Sequence, residues 1–221
     1  MKNYYHLTTT AFLIFLVTSA FSQKAEVINI QKLVKNKGVE VFNRELSLIN
    51  EGTHQGIRLS KDEGEGIAWL KGIEFSEGTL EFDVRGENVA NHSFVGIAFH
   101  GKDNATFDAI YLRPFRFKDQ NEEQRSHQLQ YISLPDFPWR TLREKFPHKY
   151  ESAIANTPDP DSWVRIKVVV KGSTVSTYIN DNKEPSLVVE KVTSFNKGAV
   201  GFYVADTSGG DFANITISKA N

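Results

Sequence analysis

From Val39 onward the chain runs in short stretches of alternating or continuous β-branched and aromatic residues, separated by turns rich in Gly, Asn, Asp and Pro. Period-two alternation bounded by such turns predicts strands. The pattern places them near Val39–Phe42, Leu46–Asn50, Gly56–Ser60, Gly66–Leu70, Thr79–Arg85, Ser93–His100, Phe107–Arg113, His127–Ser133, Trp163–Lys171, Thr174–Asn180, Leu187–Val189, Ala199–Ala205 and Phe212–Ser218. The last third is the clearest. Val164, Ile166, Val168 and Val170 alternate with Arg165, Lys167 and Lys171, and Thr174–Asn180 follows after Lys171-Gly172-Ser173, which predicts an antiparallel hairpin with one wet face. No strand–helix–strand rhythm appears, which disfavours a parallel sheet. Only Ala25–Lys35 and Trp139–Ala155 have the character of helices. The expected fold class is all-β, a two-sheet antiparallel β-sandwich of the jelly-roll kind.

One stretch breaks the rhythm. Between Pro114 and Asp161 a single strand is expected, and the rest is a connection rich in aromatics and Arg. Long ordered insertions on a rigid β-scaffold are where function concentrates.

The start of the chain reads differently. Lys2, the apolar run Ala11–Val17 and the small residues Ala20 and Ser22 predict a cleavable signal peptide over residues 1–22. A lead-in over 23–38 and a β-sandwich domain over 39–221 complete the expected organisation. The apolar run is too short to span a bilayer and nothing later approaches a span, so an exported protein, periplasmic or extracellular, with no membrane span is expected. Cysteine is absent, which removes disulfides, thiolate nucleophiles and Cys-bound zinc. Of 26 basic and 27 acidic residues only Lys2 would leave with the signal, giving 25 − 27 = −2. The basic residues are scattered, so no nucleic-acid partner is expected.

Candidate chemistry gathers in the irregular region. Alternation over FDAIYLRPF sets Phe107, Ala109, Tyr111 and Arg113 on one face, with Pro114 ending the ladder. Arg113 either forks onto a ligand beside an aromatic platform, or packs its stem on the aromatics and caps a loop carboxylate such as Glu151. Over HQLQYIS, Gln128 and Gln130 oppose His127, and two Gln on one strand face need partners if buried; a ligand or neighbours such as Asp108 and Arg113 are the alternatives. Trp139, Arg140, Arg143, Tyr150 and Glu151 lie in the long connection, which is either a lid or a packed loop. The expected ligand-binding set is Tyr111, Arg113, His127, Gln128, Gln130 and Trp139.

Evidence for catalysis is thinner. Glu81, Asp83 and Arg85 share a strand face, where a charged solvated surface is the plainer reading. Glu81, Asp83, Asp108, His127 and Glu151 are the available acid–base candidates, and no pair has matched spacing. No dedicated metal site or cofactor is expected; Asp206, Asp211 and Asn214 around DTSGGDF are the only group suited to a structural calcium.

The order GTLEFDVRG, SFVGIAFHG, FDAIYLRPF, HQLQYIS, DPDSWVRIKVVV, VSTYIN, PSLVV, KGAVGFYV and GGDFANITI resembles the concanavalin A-like lectin/glucanase superfamily, with a laminin-G-like tail. In particular it is similar to a secreted bacterial group sharing a YxRPF stretch, a QY strand and a closing GxFAN strand. The resemblance covers roughly Glu40 to Ser218 and implies two curved sheets with a carbohydrate-facing concave side. Laminarinase-type enzymes of that superfamily carry two glutamates flanking an aspartate on one strand; here the third carboxylate, Glu87, comes one residue late, so activity is not carried over. The expected function is a secreted carbohydrate-binding module. A glycoside hydrolase or related polysaccharide-degrading enzyme is the first alternative, and a structural or protein-interaction domain the second.

Overall fold

The computed structural model describes residues 25–220; the signal peptide expected over 1–22 lies outside the described residues. Fifteen strands follow in order: β1 (Ala25–Val27), β2 (Val39–Phe42), β3 (Leu46–Glu51), β4 (His54–Leu59), β5 (Gly66–Phe75), β6 (Gly78–Arg85), β7 (Val95–Gly101) and β8 (Phe107–Leu112), then β9 (Leu129–Leu134), β10 (Glu151–Ser152), β11 (Val164–Lys171), β12 (Thr174–Ile179), β13 (Leu187–Glu190), β14 (Gly198–Val204) and β15 (Gly210–Lys219). Helices are short: α1 (Ile30–Lys35), α2 (Glu122–Arg125), α3 (Trp139–Lys145) and a 3-10 turn at Pro114–Arg116.

The strands form two antiparallel sheets. One runs β13-β12-β11-β6-β15-β4-β3 with β1 also paired to β15; the other runs β10-β9-β8-β7-β14-β5-β2. The chain therefore folds as the two-sheet β-sandwich that its alternation predicts. Segment 25–38, expected as a lead-in, is joined to it: β1 pairs with β15, and Asn29 caps α1 by accepting from the Lys32 amide at 2.9 Å.

Period two decides which side chains meet. Leu80, Phe82 and Val84 of β6 point inward and are buried. Phe202 of β14 lies 6.1 Å from Phe82 and stacks on Phe212 of β15 at 4.8 Å, so Phe202 marks the inner face of the seven-stranded sheet. Burying each such ring is worth about 1.5–3 kcal/mol against leaving it in water. Tyr203 must then point outward. Register carries that assignment across the sheet, because Tyr203 pairs with Gly96 and Gly96 with Tyr111. Gly96 lets the two strands approach, since a Cβ there would sit 1.9 Å from the Ile110 carbonyl oxygen.

The outer face of the eight-stranded sheet is a charged lattice. Arg165 donates to Asp83 and Glu81, each at 3.1 Å, and Asn214 donates to Asp83 at 2.6 Å. Asp211 accepts from Arg58 at 2.6 Å and from Arg85 at 2.6 Å. The carboxylates of this face are thus committed to guanidinium partners. Burial alone would raise the Asp211 carboxyl, but the hydrogen bonds from Arg58 and Arg85 outweigh it and hold the group below its ordinary range. A depressed carboxyl contributes stability that is fully present above the unfolded value near pH 3.9 and is lost as pH falls through the lower folded value. Asp211→Asn should cost about 1–3 kcal/mol at neutral pH. Thermal melts between pH 2 and 6 should then show a shallower acid loss for the variant than for the wild type; parallel curves would remove Asp211 from the acid response.

Among the described residues no helix is long and apolar enough to cross a membrane.

Candidate functional site

A cavity of about 470 Å³ opens on the outer face of the seven-stranded sheet. Its floor is the outward row set by register, Tyr203 of β14 and Tyr111 of β8, whose rings lie 5.8 Å apart. Phe94, before β7, meets Tyr111 edge-on at 6.1 Å and Phe115 at 5.5 Å. Pro114 ends the β8 ladder and turns the chain, which brings Phe115 and Arg116 to the rim. Opposite them α3 packs through buried Leu142 and presents Trp139, which is 39% exposed.

Of the residues expected to bind ligand, Tyr111, Arg113, His127 and Trp139 line this cavity. Gln128 and Gln130 do not. Both are buried and bonded internally: Gln128 donates to the Arg116 carbonyl at 3.1 Å and accepts from the Ile154 amide at 2.7 Å, and Gln130 donates to the Tyr150 carbonyl at 3.0 Å. They tie the long connection to β9. The sheet's neighbours, rather than a ligand, satisfy both amides.

Arg113 is 5% exposed. Its Nη1 donates to the His127 carbonyl at 2.7 Å, and its Nη2 donates to the Tyr111 hydroxyl at 2.9 Å and to Gln130 Oε1 at 3.2 Å. Glu151 approaches only to 3.9 Å. Three of five N–H donors are thereby used inside the wall. The guanidinium clamps β8 to the turn before β9 and still borders the cavity.

Glu151 organises the wall behind it. It accepts from Arg143 Nε at 2.8 Å and Nη2 at 2.6 Å, and lies 3.0 Å from His127 Nδ1. Nε2 lies 3.5 Å from exposed Glu123, so each ring nitrogen faces a carboxylate. Burial pushes His127 down, against the opposing pull of Glu151, which favours the neutral imidazole at pH 7.

The far wall was not legible as a site. Tyr203 donates to Glu65, which precedes β5. Burial pushes the Glu65 carboxyl up and Tyr203 well up, and raises Tyr111 to about 12, so both phenols stay protonated donors. Arg44 backs this wall and is held by backbone carbonyls of Ser208, Asn43, Gly64 and Asp206. The opposition of Tyr203 to the apolar Phe202 in GFYV was the available sequence signal.

The other acid–base candidates lie apart from the cavity. Glu81 and Asp83 are on the opposite sheet, and Asp108 faces inward with His100 and Tyr131. Only His127 and Glu151 are brought together. Asp206, Asp211 and Asn214 have different partners: the Asp206 carbonyl bonds Arg44, Asp211 bonds Arg58 and Arg85, and Asn214 bonds Asp83. Among the described residues no cluster of three or more His, Asp or Glu is placed to hold a metal ion.

The architecture recurs in solved structures of low sequence identity. The carbohydrate binding module CBM66 from Bacillus subtilis superposes with a TM-score of 0.58 at 15% identity, over 82% of this chain and 96% of that one. A Bacillus subtilis protein of galectin-like fold gives 0.54 at 15%, over 83% and 90%. The exoplasmic/lumenal domain of VIP36, in its Ca2+/Man3GlcNAc-bound form, gives 0.54 at 12%, over 83% and 84%. At such identities the likeness shows the fold, the two-sheet antiparallel β-sandwich expected from the sequence. No curated protein matches the sequence. Residues 29–218, from the cap of α1 into the closing strand β15, match one family, and the chain belongs to the 3-keto-alpha-glucoside-1,2-lyase-like domain family.

Proposed function

We propose that this chain is an exported carbohydrate-binding β-sandwich that takes its sugar in the cavity on the outer face of the seven-stranded sheet. The observation that carries the reading is the composition of that cavity. Aromatic faces from Trp139, Phe94 and Phe115 border it together with the polar groups of Tyr111, Arg113 and His127. Sugar rings present apolar C–H faces and polar edges, and a pocket of a few hundred Å³ with few convergent polar groups is the usual setting for a small ligand. The fold shared with a carbohydrate binding module and with a glycan-bound VIP36 domain supports the same reading. Export rests on the signal-like residues 1–22, with the mature domain following them. Tyr111, Arg113, His127 and Trp139 are the contact residues in this proposal; Gln128 and Gln130 position the wall.

The test is Trp139→Ala. Trp139 is partly exposed and outside the sheets, so the melting temperature should stay within a few degrees while glycan affinity falls at least ~10-fold, about 1.4 kcal/mol. Unchanged binding of every glycan recognised by the wild type would remove Trp139 and this cavity from the site.

Family membership favours a second reading at the same cavity, the elimination its description names. A 1,2-elimination on a 3-keto-glucoside removes the C2 proton, acidified by the neighbouring carbonyl, and expels the C1 substituent. His127, with Nδ1 3.0 Å from Glu151, supplies the base, and Tyr111 with Arg113 supplies donors for the developing oxyanion. Enone absorbance appearing on incubation with a 3-keto-α-glucoside, and lost in His127→Gln, supports this reading; binding without turnover leaves the cavity a binding site.

A further inference from the structure

The two ends of the cavity differ in charge. Three guanidiniums surround the Trp139 ring: Arg143 at 4.8 Å, Arg140 at 5.4 Å and Arg113 at 6.0 Å from its centroid. One buried carboxylate, Glu151, serves Arg113 and Arg143; it is already bonded twice by Arg143 and has His127 Nδ1 at 3.0 Å. Glu123 is 58% exposed and faces His127. Arg140 has no ion-pair partner among the described residues, and Arg116 at the rim is matched by Asp119 at 2.9 Å. At the far end the balance differs, because Arg44 lies behind Glu65 and Asp206.

Arg113 makes the imbalance consequential. It is buried, and every atom that accepts a hydrogen bond from it is a neutral oxygen: a carbonyl, a phenol and an amide. Its one nearby carboxylate among the described residues, Glu151 at 3.9 Å, is shared with Arg143 and His127, so the positive charge is only partly compensated, and the field it leaves is strongest in the low-dielectric cavity beside it. An anion in that cavity would supply the missing charge.

We propose that the sugar bound here carries an anionic substituent, a carboxylate or an acidic ester, seated at the Trp139 end against Arg113 and Arg143 of the cavity lining, with Arg140 just outside it beside the same ring. This rests on the proposed carbohydrate site and adds the class of carbohydrate. The sugar ring packs on the aromatic surface, and its acidic group lies toward the three guanidiniums. His127 adds to the attraction once protonated, with Glu151, Glu123, Arg113 and Arg143 the charged groups that face it. Affinity for an acidic sugar therefore rises as pH falls through the titration of His127.

The experiment is calorimetric titration of the full chain with three forms of one disaccharide: neutral, oxidised at C6 to the uronate, and sulfated at O6. The expected result at low ionic strength is at least ~10-fold tighter binding of an acidic form than of the neutral one, with the advantage shrinking as salt is raised. Preference for the uronate over the sulfate identifies the carboxylate as the recognised group, and the reverse identifies the ester. Arg140→Gln, at an exposed position with no ion pair to lose, should reduce the acidic preference several-fold and leave neutral binding unchanged. Equal affinity for neutral and acidic forms overturns the inference while the carbohydrate site stands. Binding of none of the three, nor of any other glycan, overturns both.

Discussion

Replacing Asp108 by Ala is expected to destabilise the fold by about 3–5 kcal/mol, because it breaks a fully buried polar cluster between the sheets. Asp108 lies on the inner face of β8. It is 2.9 Å from His100 Nδ1 and accepts from the Tyr131 hydroxyl at 2.9 Å, with Thr193 at 3.5 Å. His100 Nε2 is 2.8 Å from the Ser76 carbonyl, an acceptor only, so Nε2 carries a hydrogen. Ala would strand the imidazole and the phenol without water to replace the lost acceptor. Asn is the informative companion. Its amide oxygen can accept from Tyr131 and its NH2 can donate to a neutral His100, so Asp108→Asn should cost less than half as much. Urea unfolding with an unchanged slope reads both values. Equal losses would mean that the negative charge itself is required; an Ala variant within about 0.5 kcal/mol of wild type would refute the role assigned to the cluster.

Glu151→Ala carries a comparable penalty for a different reason. Glu151 sits on the two-residue edge strand β10, opposite Gln130, and takes hydrogen bonds from Arg143, with His127 Nδ1 at 3.0 Å and Arg113 close behind. Its removal leaves buried positive charge with no carboxylate, again about 3–5 kcal/mol. A second measurement separates this from simple loosening of the edge. Burial already lowers His127 and Glu151 opposes that effect, so in the variant His127 should titrate at still lower pH. Imidazole chemical shifts followed against pH report it directly. A His127 titration unchanged or moved upward would show that the ring does not answer to Glu151.

Much of the outward row was legible in FDAIYLRPF. Alternation alone put Phe107, Ala109 and Tyr111 on one face, and the paired register of β8 with β7 and β9 agrees. Strand ends were less legible. The pattern stops a strand at Leu70, whereas β5 runs on to Phe75, sustained by its pairing with β14 across a bulge between Ala199 and Gly201. β10 has no periodic signal at all; it exists because Glu151 and Ser152 meet β9. Similarly, Trp139–Ala155 reads as one helical stretch, but α3 ends at Lys145, where the chain turns to deliver Glu151 to the sheet edge.

The sequence by itself determined what depends on neighbours along the chain: the antiparallel sandwich, the facing of each side chain within its strand, the cysteine-free core and the clustering of aromatics and Arg in the connection after β8. Each follows from period two, turn chemistry or composition. Only the tertiary structure decided which strands are neighbours. The order β8-β7-β14-β5 brings Tyr111 against Tyr203 and Glu65, residues far apart along the chain, and the fold of the long connection turns Glu151 into the partner of His127 and Arg143. It also used Gln128 and Gln130 internally, where the strand pattern left a ligand as one of two alternatives. The physical reason is that alternation fixes a side chain's face but not what lies across from it, and hydrogen bonds and charge are satisfied by whatever group the packed sheets bring within about 3 Å.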